Sequence, residues 1–273
     1  MSKLNLDIYC VTNKRLPHIE NTNYKLVGVG KNNFPDSYLD CSSGKNIYEK
    51  ETYYSELTFH YWYWKNKLNL NNLNWVGFCQ KRRFWIKAHC NKNEINIKNI
   101  NQHILFEPEN EWQKYDSIIC EPININGAKK IKMLKRGWKY ILKDPEILFN
   151  KKKENILFHF NMHHGYGNLE RAIEVMHSKD KKDFFDYVNN KTYFNPHIMV
   201  ISKNTVLDKW FKDLFTWLTE CEKIFGFNLS GYDNQRIYAF LAERYASFWF
   251  KKYSKPITWH WTFFDITKSK NEI

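Results

Sequence analysis

An apolar run typical of a buried strand, residues 75–79, ends in a polar and cationic cluster, Gln80, Lys81, Arg82 and Arg83. A guanidinium group binds phosphate through paired hydrogen bonds and keeps its charge at physiological pH. In α/β sheets, ligands usually bind where the strands end. The pattern therefore predicts a clamp for a diphosphate, and its alternative is a solvated surface turn.

The usual sequence signatures of phosphate binding do not occur in the sequence. It contains no G-x-x-x-x-G-K-[ST] loop, no G-x-G-x-x-G fingerprint and no D-x-D motif for a divalent metal. If the substrate is a nucleotide diphosphate, Lys81, Arg82 and Arg83 would supply the positive charge that a metal otherwise supplies. We therefore name no metal ligands, leave a requirement for Mn²⁺ or Mg²⁺ open, and expect EDTA to lower activity only weakly.

Acidic residues and a histidine pair are further candidates for chemistry. Asp233 opens a predicted helix, where its carboxylate could act as a base or hold a sugar hydroxyl, although aspartate is also a good helix cap. Glu243 and Arg244 lie on a mostly apolar helix and are predicted to be buried ions that need partners. His163 and His164 precede a predicted helix on an extended segment, so that at most one of them would face a site. The alternative is that neither histidine has a role.

The segments that must position these residues follow an α/β pattern. The first 85 residues read as strand, strand, polar loop, helix and strand, which is typical of a partly parallel sheet. Helices dominate later, so one mixed α/β domain with a more helical C-terminal half is predicted. The predicted strands are 6–11, 24–30, 75–79, 103–108, 116–122, 192–202 and a tail at 257–266, and the predicted helical segments are 53–66, 167–178, 184–191, 205–225 and 232–253.

The composition indicates a folded and strongly basic protein. Of the 273 residues, 43% are hydrophobic and 18% are aromatic, and the formal net charge is +13. This charge predicts attraction to nucleic acid, to an anionic membrane surface or to a phosphorylated substrate, unless it reflects solvated lysines alone. The six cysteines form no C-x-x-C pair, so neither a zinc site nor a disulfide framework is predicted. No signal peptide and no membrane-spanning stretch is recognised, and a cytoplasmic location is expected.

Four stretches of the sequence resemble a known family. "NIYEKETYYSELTFHYWYWKN" (46–66) and "WVGFCQKRRFW" (75–85) are similar to the N-terminal signature of a bacterial glycosyltransferase-like family of capsular-polysaccharide synthesis, often catalogued as a domain of unknown function. "YFNPHIMVISK" (193–203) and "YDNQRIYAFLAER" (232–244) resemble later motifs of that family. The sequence departs from the pattern before Arg82, where the family has His-Tyr, and over residues 86–160, which leaves the acceptor site open.

The resemblance implies a GT-A type fold and a nucleotide-sugar-dependent activity. The enzyme would transfer galactose or galactofuranose from a UDP-sugar to a glycan or lipid-linked glycan acceptor. That acceptor would be a capsular polysaccharide or a lipooligosaccharide. A single domain, 1–273, would consist of a nucleotide-sugar-binding half, 1–122, and an acceptor half, 123–273.

If the activity is a glycosyl transfer, we expect the following roles for individual residues. Arg82 and Arg83 would hold the diphosphate and stabilise the departing UDP. Asp233 is the first candidate for the base, followed by Glu170 and Glu243, and His164 is an alternative base or phosphate contact. The residues expected around the nucleotide and the sugar are Thr12, Asn13, Lys14, Asn46, Lys50, Glu56, Tyr61, Asn195 and His197.

Two other classes of protein compete with an enzyme. A nucleic-acid-binding protein would use the positive charge and stack bases on the aromatic side chains, but the basic residues are dispersed and no known binding module is recognised. A protein peripheral to the inner face of the plasma membrane would use "FWFKKYSK" (248–255) as its contact. A buried helix end is the slightly favoured interpretation of that segment.

Overall fold

A nine-stranded mixed sheet runs through the computed structural model of this protein, which describes residues 5–265. A separate two-stranded sheet is formed by β7 and β8. The strands are β1 (Leu6–Thr12), β2 (Lys25–Gly28), β3 (Leu39–Asp40), β4 (Trp75–Gln80), β5 (Arg83–Trp85), β6 (Ser117–Cys120), β7 (Ile123–Asn124), β8 (Tyr193–Phe194), β9 (Val200–Lys203), β10 (Pro256–Trp259) and β11 (Trp261–Phe263).

The strand order of the large sheet is β10-β6-β9-β4-β1-β2-β3, with β5 and β11 attached beyond the end of β4. Strand β1 is parallel to both of its neighbours, β2 and β4. Strand β9 is antiparallel to β4 and β6, which makes the sheet mixed. The chain moves outward from β1 through β2 and β3, then returns to the other side of β1 as β4. The gap between β1 and β4 is therefore the point at which the winding direction reverses.

Helices cover one face of this sheet most heavily. They are α1 (Glu51–Tyr54), α2 (Leu57–Asn66), α3 (Ile100–His103), α4 (Lys130–Lys143), α5 (Ile156–His164), α6 (Asn168–Glu174), α7 (Ser178–Asn190), α8 (Asn204–Phe225), α9 (Tyr232–Gln235) and α10 (Ile237–Tyr253). The predicted class, a mixed α/β sheet flanked by helices with a more helical C-terminal half, is confirmed.

Alternation along β1 separates two hydrophobic cores. Tyr9 and Val11 face a large core shared with α2, α8 and α10, whereas Ile8 and Cys10 face a second core rich in tryptophan. Successive side chains of a strand point to opposite faces, so an apolar strand such as β1 is buried on both sides. The backbone at the end of β1 is therefore held rigidly from both faces of the sheet.

Several predicted elements need correction. Residues 103–108 do not form a strand: α3 ends at His103, and a single bridge joins Ile86 to Ile104. The predicted strand 192–202 is interrupted between β8 and β9, and the predicted helix 53–66 is interrupted at Ser55. Helices α4 and α5 lie in a stretch for which no element was predicted.

Other predictions concern the chain ends and the membrane. The predicted tail divides into β10 and β11, and its last residue, Ile266, lies outside the described residues. Residues 1–4, which belong to the segment in which no signal peptide is predicted, also lie outside them. In the segment 248–255, Phe248, Trp249 and Phe250 are buried inside α10, in agreement with the favoured interpretation. Within residues 5–265, none of the helices combines the length and the apolar character needed to cross a bilayer.

Candidate functional site

A cleft of about 250 Å³ opens at the carboxyl ends of β1 and β4. Its lining includes Thr12 and Asn13 at the end of β1 and residues 80–83 at the end of β4. Because β1 and β4 are parallel neighbours, with Val11 opposite Gln80, both chain exits meet at the same edge of the sheet. In open α/β sheets, ligands bind at the edge where the winding direction reverses. The cleft lies at that edge.

The cations predicted as a clamp lie on a tight hairpin at this edge. Lys81 and Arg82 form the turn between β4 and β5, and Arg83 is the first residue of β5, so the apolar strand does not simply end in two arginines. Nζ of Lys81 donates to Oδ1 of Asn13 at 2.5 Å, and Nη1 of Arg83 donates to Oε1 of Gln80 at 3.2 Å. All three cations line the cleft.

Both arginines keep hydrogen-bonding capacity that these contacts do not use. Nη1 of Arg82 pairs with Oδ2 of Asp265 at 3.1 Å, and both guanidinium groups lie about as far as a cation–π contact allows, 5.6 and 5.5 Å, from the ring of Phe263. Among residues 5–265, the Nε atoms of Arg82 and Arg83 are buried without a hydrogen-bond partner. A buried donor without a partner is unfavourable, so an acceptor that reached these atoms would be bound favourably.

Cations outnumber carboxylates in the lining of the cleft, which also contains Glu51, Glu56 and Glu243. Burial lowers the pKa of Lys81, and the nearby charges of Arg82 and Lys14 lower it further. Burial also lowers the pKa of the Arg83 guanidinium, against the opposing effect of Glu56. Like charges that lie close together repel one another. A bound phosphate group would relieve that repulsion.

The junction of α1 and α2 supplies a further part of the cleft wall. Ser55 separates the two helices with φ at +52°, a conformation that L-residues rarely adopt. Its Oγ accepts a hydrogen bond from Nη1 of Arg236 at 3.0 Å, which holds a fourth cation at the cleft. The next residue, Glu56, accepts a hydrogen bond from the side-chain amide of Gln80. Gln80 thus connects Glu56 to Arg83.

A buried ion pair forms the floor. His197, with φ at +63°, lies in the interruption between β8 and β9. Its backbone N–H donates to Oε1 of Glu243 at 2.6 Å. The other carboxylate oxygen of Glu243 pairs with Arg244, which is 2% exposed. Burial opposes ionisation of Glu243, but the charge of Arg244 and the hydrogen bonds from His197 outweigh it, so the pKa of Glu243 lies well below its usual range. Glu243 is therefore a fixed anion and a weak base.

The structure brings about half of the predicted residues to the cleft. Those that line it are Thr12, Asn13, Glu56, Arg82, Arg83, His197 and Glu243, together with Lys81. Sequence reasoning did not assign a role to Glu51, Ser55, Gln80, Tyr232, Arg236 or Phe240, which line it as well. The sequence does predict that Arg236, Phe240 and Glu243 share one helix face, because they recur at three- and four-residue spacing, and Tyr232 precedes Arg236 by four residues. No sequence signal marks Ser55.

Five residues predicted near the nucleotide or sugar do not line the cleft. Lys50 pairs with Glu222 on α8 at 2.6 Å, and Tyr61 packs against Phe215 with ring centroids 5.0 Å apart. The side chain of Asn46 donates to the carbonyls of residues 42 and 44, and that of Asn195 donates to the carbonyl of residue 120. Lys14 is exposed, and its backbone N–H and carbonyl both bond to the hydroxyl of Thr12.

Three of the acid–base candidates also lie outside the lining. Asp233 is next to Tyr232 at the rim, and its Oδ2 lies 3.4 Å from Nη1 of Arg136. Glu170 is bound by the hydroxyl of Tyr140 at 2.5 Å, away from the cleft. His164 lies on α5 and not on an extended segment; it stacks on Phe240 with ring centroids 3.9 Å apart, and burial lowers its pKa to about 3.

His164 is therefore neutral and packed behind a cleft residue. Over the described range 5–265, no three histidine, cysteine or acidic side chains converge as they would to hold a metal ion.

Comparisons with known proteins relate the chain to one family and one solved structure. The model of a family described as "Domain of unknown function (DUF4422)" matches residues 7–255. No curated protein matches the sequence. The apo structure of the bifunctional glycosyltransferase WbbM has the same fold over 96% of this chain, with a TM-score of 0.68 and 18% sequence identity. The match covers 45% of that protein's chain, so this chain spans less than half of its length.

Proposed function

This chain belongs to the DUF4422 family, and from that membership, its fold and its cationic cleft we propose that it is a glycosyltransferase that uses a nucleotide sugar. The proposed donor is a UDP-sugar, with galactose or galactofuranose as the sugar, and the proposed acceptor is a capsular polysaccharide or lipooligosaccharide. In this proposal, residues 1–122 supply most of the donor site and residues 123–273 supply the acceptor side.

The observation that carries the proposal is the cation cluster at the carboxyl edge of β1 and β4. Lys81, Arg82, Arg83 and Arg236 surround one cleft, and two buried Nε donors among them have no hydrogen-bond partner within residues 5–265. A diphosphate presents several oxygens that can accept hydrogen bonds from these donors, and its two negative charges are opposite in sign to the cations. Thr12 and Asn13, at the exit of β1, would border the nucleoside.

In the proposed reaction the cations act mainly on the leaving group. Negative charge builds on the nucleoside diphosphate as the glycosidic bond breaks, and guanidinium groups already in place stabilise that charge without rearrangement. Asp233, exposed at the rim, is the proposed group that receives the acceptor proton. Glu243, as a weak base bound to Arg244 and His197, would instead keep the floor of the cleft in shape.

The test replaces Arg82 and Arg83 separately by alanine. Each change should lower transfer from UDP-galactose by about a hundredfold or more, because one preorganised donor to a developing charge contributes at least that factor. Turnover is measured as UDP release in the presence and absence of acceptor glycan, and thermal melting checks the fold.

Arg171→Ala is the matched control, because Arg171 is an exposed arginine on α6 outside the cleft lining. Wild-type turnover by both Arg82→Ala and Arg83→Ala would exclude the clamp.

A further inference from the structure

Helix α4 is unusual because its apolar residues cover about half of its circumference, as two adjacent faces. One face, with Met133, Gly137 and Ile141, is buried against α5. A methyl group added at Gly137 would lie 2.9 Å from the ring of Phe158, so the helices touch at that residue. This buried face accounts for the attachment of α4 to the protein, and it leaves the second face unexplained.

The second apolar face points into solvent. Its members recur at three- and four-residue intervals and therefore form one stripe, about a quarter of a turn from the buried face. They are Ile131, Leu134, Trp138 and Leu142, with exposed fractions between 52% and 79%. Phe149, shortly after the helix, is 81% exposed. A contiguous row of large exposed apolar side chains marks an interaction surface more often than scattered single ones do.

The rest of the α4 surface is cationic. The helix contains no aspartate or glutamate, and each of its six basic residues is exposed: Lys130, Lys132, Lys135, Arg136, Lys139 and Lys143. Lys135 and Lys139 border the apolar stripe, and Nζ of Lys139 lies 5.6 Å from the ring of Trp138. The helix therefore combines an apolar stripe, an indole and a purely positive polar side.

We propose that α4 is a contact surface for an anionic lipid bilayer. Helices with an apolar stripe, tryptophan and a lysine-rich polar side lie in the plane of the bilayer interface, with the apolar side chains inserted and the cations beside the lipid phosphates. Each lysine or arginine near an anionic leaflet adds to the binding free energy. No acidic residue of α4 reduces this contribution, because the helix contains none. The proposal concerns a different surface from the buried segment 248–255.

The position of α4 also connects this surface to the cleft. Nη1 of Arg136 lies 3.4 Å from Oδ2 of Asp233, and α9, which contains Asp233, supplies Tyr232 to the lining. A bilayer held against α4 would thus lie beside the rim of the cleft. The bilayer contact itself does not depend on the proposed transferase activity, because its evidence is the composition and exposure of α4.

The test is sedimentation with lipid vesicles. The full-length protein should bind vesicles of phosphatidylcholine mixed with phosphatidylglycerol and should not bind vesicles of phosphatidylcholine alone. The double variant Trp138→Ser/Leu142→Ser, and separately Lys135→Glu/Lys139→Glu, should each weaken binding by about tenfold or more. All four positions are exposed, so the fold should be kept, and thermal melting verifies this. Phe185→Ser is the control, because Phe185 is an exposed aromatic residue on the lysine-containing helix α7.

Three outcomes would overturn the proposal. The first is a wild-type protein that does not sediment with anionic vesicles. The second is wild-type vesicle binding by both double variants. The third is a wild-type dimer, detected by light scattering, that Trp138→Ser/Leu142→Ser converts to a monomer, because the stripe would then be covered by a second copy of this chain. If the double variants lose vesicle binding and still release UDP at the wild-type rate, the bilayer contact and the transferase activity are independent, so each proposal can fail without the other.

Discussion

Ser55 combines backbone strain with a contact to the cleft. Its φ of +52° is a conformation that glycine adopts freely and that costs other residues about 1–3 kcal/mol. The same residue accepts a hydrogen bond from Arg236 through its hydroxyl. A glycine would therefore suit the backbone better and would abolish the contact. We infer that serine is present for its hydroxyl.

This inference gives a pair of matched variants. Ser55→Gly and Ser55→Ala both remove the hydroxyl, so both should weaken UDP binding several-fold in calorimetry. Only glycine relieves the strain, so Ser55→Gly should exceed Ser55→Ala in unfolding free energy by about 1 kcal/mol in urea denaturation. Equal stability of the two variants would show that no strain is stored at Ser55, and unchanged UDP affinity would show that its hydroxyl does not position Arg236.

His60 predicts a pH dependence of stability. It is 1% exposed on α2, against the ring of Phe78 with centroids 4.4 Å apart, and burial lowers its pKa from 6.5 to about 3. Between these two values the unfolded chain binds a proton that the native protein does not bind, so native stability is present above pH 6.5 and falls as the pH drops towards 3.

His60→Phe keeps an aromatic ring of similar size and removes this titration. The unfolding free energy of the wild type, relative to the variant, should fall by up to about 1.4 kcal/mol for each pH unit below 6.5. Urea denaturation at several pH values measures the difference, with His89→Phe as the control at an exposed histidine. Parallel stability curves for wild type and His60→Phe would contradict the prediction.

At the level of elements, periodicity predicted what lies inside a single strand or helix. β1, β4, β6, α8 and α10 lie where the apolar patterns indicated, because the strands are continuous buried runs and each helix buries a stripe of apolar side chains. Residues 103–108 also form an apolar run before a proline, but the buried apolar side chains there lie where helix α3 ends, and not in a strand. A short apolar run does not distinguish these two outcomes.

Interruptions of elements were not predictable from pattern. The break at Ser55 and the turn at His197 both use positive φ at residues other than glycine. Their stabilising contacts come from α9–α10, distant in sequence: Arg236 for Ser55 and Glu243 for His197. Local propensity contains no information about such tertiary contacts. These two interruptions shape the cleft, and for that reason the sequence predicted Arg82 and Arg83 better than the residues that surround them.

Helix α4 was missed although its pattern is amphipathic. Its buried and exposed apolar residues are adjacent around the helix and together form one wide apolar face, and five of its six cations lie on the other side. The sequence of residues 130–143 therefore contains the signal of an amphipathic helix, although no element was predicted there.

At the level of the whole molecule, the net charge of +13 attracts several kinds of anion, and ligand-induced stabilisation distinguishes them. A ligand of the native state at one hundred times its Kd adds about 2.7 kcal/mol, so UDP should raise Tm by about 5 °C or more. Single-stranded DNA at moderate salt should not, because dispersed surface cations bind it through screened contacts.

The Arg83→Ala variant should lose most of the shift with UDP. Stabilisation by DNA and not by UDP would favour the nucleic-acid-binding alternative over the transferase.

Strands β10 and β11 complete the sheet from the far end of the chain: β10 pairs with β6, and β11 pairs with β5 beside the cleft. The family match stops at residue 255, one residue before β10 begins. A protein trimmed to the matched residues would expose the backbone edges of β6 and β5 and would lose Trp259 from the second core. Open edges of that kind recruit other chains. Family boundaries are therefore poor guides to where this polypeptide tolerates truncation.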